Sequence, residues 1–472
     1  MSFKTYALED VLEITSSKRI KMAEYVQSGI PFYRSKEIIE KSNNQPVSTD
    51  IFITCEHFDK IKMKFGAPEA GDILLTSVGT LGVSYQVSDD DLFYFKDGNL
   101  TWFRNFNSRV LSGYIYCWLK SPLARKKLDE ISIGTTQRAL TIASLKKIQI
   151  KIPSLDVQKK IVFIYESLSK KIINNGKINQ TLEQMAQALF KSWFIDFEPV
   201  KAKIAVLESG GSQEEATFAA MTAISGKSAD ALAIFEREHP EQYAELKATA
   251  ELFPSAMQES ELGEIPEGWA IGNLGKIIEF NPKRILKKGI NAPYLDMKNV
   301  PVKGHSVQEV VCREVTSGTK FKNGDTLLAR ITPCLENGKT AFVDFLSSND
   351  TVGWGSTEFI VMKVKRDLPL SISYFIARLE SFRITAIQSM QGTSGRQRAD
   401  AGVLQNMPWV IPPDALLMKF GKFSNFVIDN NRVKHNKNTL LSQLRDTLLP
   451  KLLSGEITLA EAEELAKEAD YV

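Results

Sequence analysis

The stretch Ile152–Phe197 reads IPSLDVQKKIVFIYESLSKKIINNGKINQTLEQMAQALFKSWFIDF, and a second copy of its pattern begins at Ile411. The second copy reads IPPDALLMKFGKFSNFVIDNNRVKHNKNTLLSQLRDTLLPKLLSG. One constant offset of 259 residues carries Ile152 to Ile411 and Asn179 to Asn438, without an insertion or deletion between them. The repeat therefore divides the chain into two halves.

Both copies have the apolar spacing of a long helix. Nine positions at 3-4 spacing from Ile161 to Leu189 include seven apolar residues, and the matching positions from Phe420 to Leu448 include six. This pattern is typical of a coiled-coil seam, in which polar residues cost stability but select register and pairing. We expect two long antiparallel helices. Their polar register positions are Lys171, Asn175, Asn430 and Lys434.

The length of the first helix argues for pairing between the two helices. A helix over 156–193 is about 57 Å long at about 1.5 Å per residue, more than a unit of about 150 residues can cover. The alternative is that each stripe packs only on its own domain. About 57 Å corresponds to roughly 17 base pairs of DNA at about 3.4 Å each, so the pair could act as a ruler.

The segments in front of the two helices repeat each other as well. Gly71-Asp72-Ile73-Leu74-Leu75 returns as Gly324-Asp325-Thr326-Leu327-Leu328, and residues 134–139 return as 392–399. Short β-rich runs between glycines indicate small sheets, and a helix is expected over 112–130. The predicted fold class is α+β: two similar mixed domains separated by two long antiparallel helices, with pseudo-twofold symmetry.

Five segments follow from this organisation. The first domain covers 1–151 and the second 264–410, the helical regions cover 152–198 and 411–472, and a connector covers 199–263. Residues 206–264 carry 12 acidic and 3 basic side chains, so the rest of the chain has a net charge of +12, which permits a polyanionic partner. We expect the connector to be a solvated spacer or a partner-facing flap with helices over 212–223 and 228–250.

Composition limits the class of protein. The 472 residues are 43% hydrophobic and 24% charged, as in an ordinary globular chain, and no apolar run approaches membrane-spanning length. The four cysteines are scattered without a C-x-x-C pair, which favours free thiols over a disulfide framework or zinc site. These features predict a cytoplasmic protein with no membrane partner.

The sequence contains no complete catalytic motif. Gly338-Lys339-Thr340 imitates the end of a P-loop, but Pro333 stands where that motif needs glycine. No G-x-G-x-x-G element is present to hold a nucleotide or S-adenosylmethionine. The four histidines are isolated in sequence, so no acid–base or nucleophile set is proposed. We expect a chain that binds and has no catalytic residues, metal or cofactor of its own.

The repeated loops carry the chemistry of DNA binding. Lysine, arginine, serine and threonine contact phosphates, while arginine reads guanine and glutamine reads adenine. The candidates in the first domain are Lys18, Arg19, Tyr33, Arg34, Ser35, Lys36, Thr76, Ser77, Thr80, Thr135, Thr136, Gln137 and Arg138. Those in the second domain are Lys283, Arg284, Lys298, Arg330, Thr332, Thr393, Ser394, Arg396, Gln397 and Arg398. A solvated loop is the alternative for each cluster alone.

The chain resembles the specificity subunits of type I restriction-modification systems over nearly its full length. The matching stretches are GIPFYRSKEI (29–38), GDILLTSVGTLG (71–82), GTTQRALTIASLKKIQIKIPSLDVQKKI (134–161), INQTLEQMAQALFKSWFIDFEPVKAK (178–203), LGEIPEGW (262–269) and LLPKLLSGEI (448–457). Two features depart from the family pattern. The connector looks longer, and Leu295-Asp296-Met297 stands where the first domain has Arg34-Ser35.

The resemblance implies a prokaryotic, cytoplasmic subunit whose two target recognition domains each read one half of a split DNA sequence. It implies that the helices set the unread spacer and dock two modification subunits, which carry S-adenosylmethionine and methylate adenine. It also implies restriction subunits that cut DNA using ATP and Mg. The alternatives are a coiled-coil scaffold for a different protein complex and an enzyme that both recognises and methylates DNA.

Overall fold

The computed structural model describes residues 2–134, 138–365, 367–392 and 396–468. The chain forms two compact units, the first made of Met1–Asn175 with Lys437–Val472 and the second of Gly176–Asn436. Each long helical region contributes to both units, so the units differ in extent from the five segments of the sequence. Both units contain mixed helices and sheets, which confirms the predicted α+β class.

The first unit is built on small sheets. Its strands are β1 (Lys4–Ala7), β2 (Glu13–Thr15), β3 (Ile30–Tyr33), β4 (Phe52–Ile53), β5 (Ile73–Thr76), β6 (Ser84–Gln86), β7 (Tyr94–Phe95), β8 (Leu100–Arg104) and β9 (Gln149–Ile152). A four-stranded antiparallel sheet has the order β2-β8-β5-β6, a three-stranded sheet the order β4-β3-β7, and β1 pairs with β9. All four residues of β5 are buried, as its apolar run predicts for a central strand.

Helices cover these sheets. They are α1 (Ser35–Ser42), α2 (Cys55–Phe65), α3 (Ser112–Lys120), α4 (Pro122–Ile131) and α5 (Ile142–Lys146). The single helix expected over 112–130 was wrong, because it breaks in two between Lys120 and Pro122. The Ser121 hydroxyl accepts a hydrogen bond from the Ala124 amide and caps the new helix, which begins with Pro122. Proline is suited to that first position because it has no amide hydrogen to leave unpaired.

The second unit repeats this plan. Its strands are β10 (Met257–Gln258), β11 (Ile265–Pro266), β12 (Ala270–Asn273), β13 (Ile278–Phe280), β14 (Asn291–Leu295), β15 (Val311–Glu314), β16 (Thr319–Phe321), β17 (Thr326–Ala329), β18 (Thr340–Phe342), β19 (Gly353–Gly355), β20 (Phe359–Val364) and β21 (Pro408–Ile411). The antiparallel sheet β13-β20-β17-β18 matches β2-β8-β5-β6, and β12 pairs with β21 as β1 does with β9. The second sheet has the order β15-β14-β19-β16 and is joined by the parallel pair β14–β19, as β3–β7 is in the first unit.

Two long helices connect the repeats along the chain. Their bounds are Leu155–Phe194 for α6 and Asp414–Ser454 for α14, close to the predicted spans. In the first unit, Ile161, Ile164 and Leu168 share one buried cluster with Leu441, Leu448 and Leu452. In the second unit, the buried residues of α6 are Ala186, Phe190, Trp193 and Phe194.

The predicted seam of α6 holds as far as Asn175, and beyond it only Leu182 and Leu189 of the seam positions still pack on the core. Beyond it, Ile178 is 44% exposed and Met185 is 54% exposed. The buried stripe moves by one residue because Phe190 packs on Phe420, with ring centroids 5.2 Å apart, inside the aromatic core of the second unit. A straight helix of 3.6 residues per turn drifts relative to a strict seven-residue repeat, which accounts for such a shift.

The remaining helices belong to the connector and to the second unit, except for the last one. They are α7 (Glu198–Glu208), α8 (Gln213–Ser225), α9 (Ala229–Glu238), α10 (Pro240–Glu251), α11 (Ile372–Arg378), α12 (Glu380–Gln388), α13 (Ala401–Gln405) and α15 (Leu459–Glu468). The connector is folded, with a core around Met221 and Leu232. Its Lys203 is buried and donates to the Phe253 carbonyl at 2.6 Å, and burial lowers the pKa of this lysine.

Among the residues that the structure describes, no helix is both long enough and apolar enough to cross a membrane.

Candidate nucleic-acid interface

Two of the predicted clusters of the first unit lie side by side. The turn that follows β5 forms a β-bridge to the segment after the 134–137 loop, through Val78 and Ala139. The Leu140 amide also donates to the Ser77 carbonyl at 2.9 Å. Ala139 and Leu140 are therefore held beside the exposed turn that contains Thr80.

The second unit repeats this junction bond for bond. Ile331 bridges to Arg398, and the Ala399 amide donates to the Arg330 carbonyl at 2.8 Å. By this hydrogen bonding Ala139 corresponds to Arg398, so Arg138 occupies the position of Gln397. The alignment of Arg138 with Arg398 in the sequence repeat is one residue out of step with the fold, because the loop lengths differ.

The exposed arginine at each junction is held by an acid of its own unit. Arg138 Nη2 lies 3.0 Å from Asp129 Oδ1 on α4, and its Nε donates to Ser132. Arg398 makes a two-point contact with Glu358, with Nε 3.0 Å and Nη2 2.7 Å from Oε1. This hydrogen bond lowers the pKa of Glu358 and raises that of Arg398.

Such exposed ion pairs contribute little to stability, because solvent screens the attraction. A phosphate or a guanine edge can therefore replace the carboxylate at small cost, while the pair keeps the guanidinium in place before DNA arrives. The sequence repeat did not point to Asp129 or Glu358. In the sequence, each of these acids is one acidic residue among many. Nothing in its spacing from Arg138 or Arg398 marks it as the partner of that arginine.

Several predicted contacts are corrected by burial. Tyr33 is a core residue whose ring stacks on Phe93 at 4.5 Å. Thr76 and Ser77 are also buried, and their hydroxyls bond within the sheet, to the Val83 amide and to Thr101 respectively. Because these three side chains are buried, they cannot reach a phosphate. They belong to the β-rich segments that form the sheets.

Other predicted contacts serve the local structure. Arg34 is the N-cap residue of α1, its amide and guanidinium both donate to Glu37, and its guanidinium also lies 3.1 Å from Asp50. In the second unit, Arg284 forms an ion pair with buried Asp325, whose pKa is nevertheless raised because desolvation outweighs the arginine. Arg284 therefore stabilises the sheet, which corrects its assignment to DNA.

The remaining candidates fall into three groups. Exposed side chains are Lys18, Arg19, Lys36, Thr80, Arg138, Lys283, Lys298, Arg396 and Arg398. Partly buried ones are Ser35, Arg330, Thr332 and Gln397. Thr135, Thr136, Gln137, Thr393 and Ser394 lie outside the described residues.

The helix register rests on asparagines in each unit. In the first unit, Asn175 Nδ2 donates to Asn438 Oδ1 at 2.9 Å, and Asn438 Nδ2 donates to the Ile172 carbonyl at 3.1 Å. In the second unit, Asn179 Nδ2 donates to the Asn431 carbonyl at 3.0 Å. The offset of 259 residues relates Asn179 to Asn438 and Ile172 to Asn431. The bond from Asn438 to Ile172 in the first unit is therefore equivalent to the bond from Asn179 to Asn431 in the second.

The predicted register positions relate to these amides in different ways. Asn175 takes part directly, and Asn430 and Lys434 lie beside the bonded amides Asn431 and Asn438 on α14. Lys171 lies one residue before Ile172, and partial burial followed by repulsion from Lys437 lowers its pKa. The apolar spacing of the seam did not predict the bonds of Asn179 and Asn438. The sequence repeat, which relates these two asparagines, could have indicated them.

No group of three or more histidine, cysteine, aspartate or glutamate residues that could hold a metal ion occurs within the described ranges.

Comparison with known proteins defines the class of protein. Residues 2–184 match the family model described as the type I restriction modification DNA specificity domain. Over most of its length the chain is similar to type I restriction enzyme specificity subunits.

Two relatives match nearly the whole chain. The HindI specificity subunit of Haemophilus influenzae is 28% identical, and the match covers 88% of this chain and 93% of that subunit. The MjaIX specificity subunit of Methanocaldococcus jannaschii is 25% identical, with 96% and 93% covered. The solved S subunit from M. genitalium has a TM-score of 0.51 at 12% identity and covers 96% of both chains, which shows a shared fold.

Proposed function

We propose that this chain reads a bipartite DNA target, with one half-site contacted by each unit. The observation that carries the proposal is the duplicated junction: the same two segments are bridged next to an exposed arginine in both units. A repeated frame with different loop residues suits two half-sites of different sequence. Direct readout is assigned to Arg138 in the first unit and to Arg396 and Arg398 in the second.

The proposal includes the rest of a type I complex. Two modification subunits would bind S-adenosylmethionine and methylate adenine, and restriction subunits would cleave DNA with ATP and Mg. This chain would supply recognition and hold no catalytic residues. Its place of action would be the prokaryotic cytoplasm. Support comes from its family and from the lack of a nucleotide or S-adenosylmethionine motif in its sequence.

The deciding experiment is a map of methylated adenines in DNA from cells that express this chain together with its modification subunits. We expect one bipartite motif with a gap of fixed length. Cells with Arg138→Ala should retain the sequence requirement of one half of the motif and relax the other. A continuous motif, or the same motif when this chain is deleted, would refute the proposal.

The scaffold alternative predicts a different result. A scaffold for another protein complex would show no DNA binding that depends on the methyltransferase partner. Binding of labelled duplex DNA over a salt series, with and without the modification subunits, separates the two. A chain that methylates DNA by itself would bind S-adenosylmethionine in isolation, which isothermal titration would detect.

A further inference from the structure

Helix α2 of the first unit ends in a surface that includes Lys18 but no other predicted DNA contact. Its inner face is buried through Phe58 and Ile61. Its last turn is exposed and alternates basic with apolar side chains: Met63 is 83% exposed and Phe65 is 42% exposed, with Lys64 between them. A surface of this composition calls for an explanation, because large apolar side chains are ordinarily buried.

Two lysines from separate parts of the chain share the Phe65 ring. Lys18 Nζ lies 5.1 Å and Lys64 Nζ 5.4 Å from its centroid. Each contact is favourable as a cation–π interaction, but two ammonium groups on one ring repel each other. Neither lysine forms an ion pair within the described part of the chain.

A third cation contacts the backbone of the same residue. Arg104 Nη1 donates to the Phe65 carbonyl at 3.4 Å, and its guanidinium stacks on Trp102 at 4.0 Å. This arginine pairs with Glu13, whose carboxylate oxygen lies 3.9 Å from Nε, and it also interacts electrostatically with Asp72. The positive charge around Phe65 is thus only partly balanced by the protein.

We propose that Lys18, Lys64, Phe65 and Arg104, here called the α2 patch, bind the sugar-phosphate backbone of duplex DNA. The inference rests on the proposed function and extends it to a surface outside the reading loops. The ammonium groups would contact phosphates, and the ring would lie against a deoxyribose. Such contacts set the position of a protein on DNA and carry no base information themselves.

A purely structural role explains less of the arrangement. Lysine in the last turn of a helix interacts favourably with the helix dipole, which would account for Lys64. It does not account for Lys18, which belongs to a loop. The backbone of Lys18 is held in place, because its amide donates to the hydroxyl of buried Tyr94 at 2.9 Å. Stability gains little from bringing this second cation to the ring, because repulsion between the two ammonium groups opposes the second cation–π contact.

The patch is a feature of the first unit. In the second unit the chain between β14 and β17 forms the strands β15 and β16 where the first unit has α1, β4 and α2. The arginine next to Lys283, Arg284, is paired with Asp325. The α2 patch would therefore strengthen contact at one half-site only.

The test uses the complete complex with its modification subunits and a long duplex of mixed sequence. The dissociation constant is measured over a salt series for the wild type and for Lys64→Ala, Phe65→Leu and Lys18→Ala/Lys64→Ala. The matched control is Lys4→Ala/Lys151→Ala, two exposed lysines on the β1–β9 ribbon. Thermal melting of each variant confirms that the fold is retained.

Each lost phosphate contact lowers the slope of log affinity against log salt by about 0.9. We expect a fall of about 0.9 for Lys64→Ala and about 1.8 for the double variant, with the control unchanged. Phe65→Leu should weaken binding without changing the slope. Lys18→Arg/Lys64→Arg should keep the wild-type slope.

The two ideas fail in different ways. An unchanged slope in the double variant, or an equal fall in the control, overturns the α2 patch while the methylated motif stays bipartite. A wild-type complex that binds no DNA at any salt concentration overturns the proposed function, and the patch with it.

Discussion

The two units share a frame and differ in how they are braced. In the first unit, the buried Tyr114 of α3 donates its hydroxyl to the Lys151 carbonyl at 2.8 Å. In the second unit, the matching Tyr374 of α11 donates to Glu183 on α6. Nearby Arg378 uses its guanidinium on four carbonyl oxygens, those of Val302, Gly304, Gly338 and Thr340.

A buried histidine belongs to the same brace of the second unit. His305 is 1% exposed, and its Nε2 lies 3.2 Å from Asp344 Oδ2. Buried polar groups of this kind are costly unless fully bonded, so they specify one arrangement of the loops. The sheets and the helix bonds are thus the constant part of the repeat, whereas the loops and their braces vary independently.

The largest expected effect comes from breaking the constant part. Insertion of four residues between Ile172 and Asn179 would move the bonds of Asn179 away from those of Asn438 by about 6 Å along the helix. We expect the methylated motif to change its gap or methylation to be lost. Sequencing of methylated adenines in cells carrying the insertion measures this.

The control for the insertion lies in a loop. The same four residues placed after Gly210, in the turn between α7 and α8, should leave the motif and its gap unchanged. An unchanged gap with the helix insertion would show that the helices do not set the spacing.

Breaking one reading loop should affect one half-site. Arg138→Ala should cost about 1–3 kcal/mol of binding at targets with a correct first half and relax the sequence requirement there. Arg398→Ala should do the same at the other half. Competition binding with duplexes altered in either half measures this, and an equal loss at both halves from either variant would contradict independent readers.

The equivalent asparagines offer a matched pair of stability tests. Asn438→Ala removes the donor to the Ile172 carbonyl together with the acceptor of Asn175, and Asn179→Ala removes the donor to the Asn431 carbonyl. Each should lower the free energy of unfolding by about 1–2 kcal/mol, because a partly buried hydrogen bond between α6 and α14 is lost. Urea denaturation measures both. Effects that differ by more than about 2 kcal/mol would show that the repeat is not energetically equivalent.

The smallest expected effect is a pH dependence confined to the first unit. Burial lowers the pKa of Lys120 to about 8, and its Nζ donates to the Ser42 hydroxyl and the Ser84 carbonyl. Between about pH 8 and 10 the unfolded chain holds this proton while the folded chain has lost it, so stability contributed by this group rises with pH. We expect a gain on the order of 1 kcal/mol, because the lysine is only partly buried.

Substitution of Lys120 isolates its contribution to the pH dependence of stability. Lys120→Met should remove this rise in chemical denaturation followed at pH 7.5 and pH 9.5. Lys126→Met, an exposed lysine on α4, serves as the control and should keep it. A rise that persists in Lys120→Met would assign the dependence to another group.

Much of the fold could be predicted because periodic apolar residues and an internal repeat indicate it. The span of α6, the antiparallel register and the duplicated sheets follow from apolar spacing and from the constant offset of 259 residues. The break at Pro122 could have been read from the proline itself. The brace around His305 could not, because it joins residues that are far apart in sequence and leave no spacing signal.

The candidate interface was less predictable for the same reason. Local composition cannot separate Ser77, buried in the sheet, from Thr80, exposed in the turn three residues later. Nor can it separate Lys283, which is exposed, from Arg284, which a buried aspartate holds. Only the register of a strand or a partner distant in sequence decides which neighbour faces solvent.

The first unit is discontinuous in sequence, which matters during synthesis. Ile161, Ile164 and Leu168 are buried together with residues from Leu441 to Leu453, and the ribosome makes those nearly 300 residues later, or about 15–60 s at 5–20 residues per second. For that interval the apolar stripe of α6 has no partner from its own chain. A helix supplied by another nascent copy could take the place, so premature termination before Lys437 would leave a chain prone to pair with its neighbours.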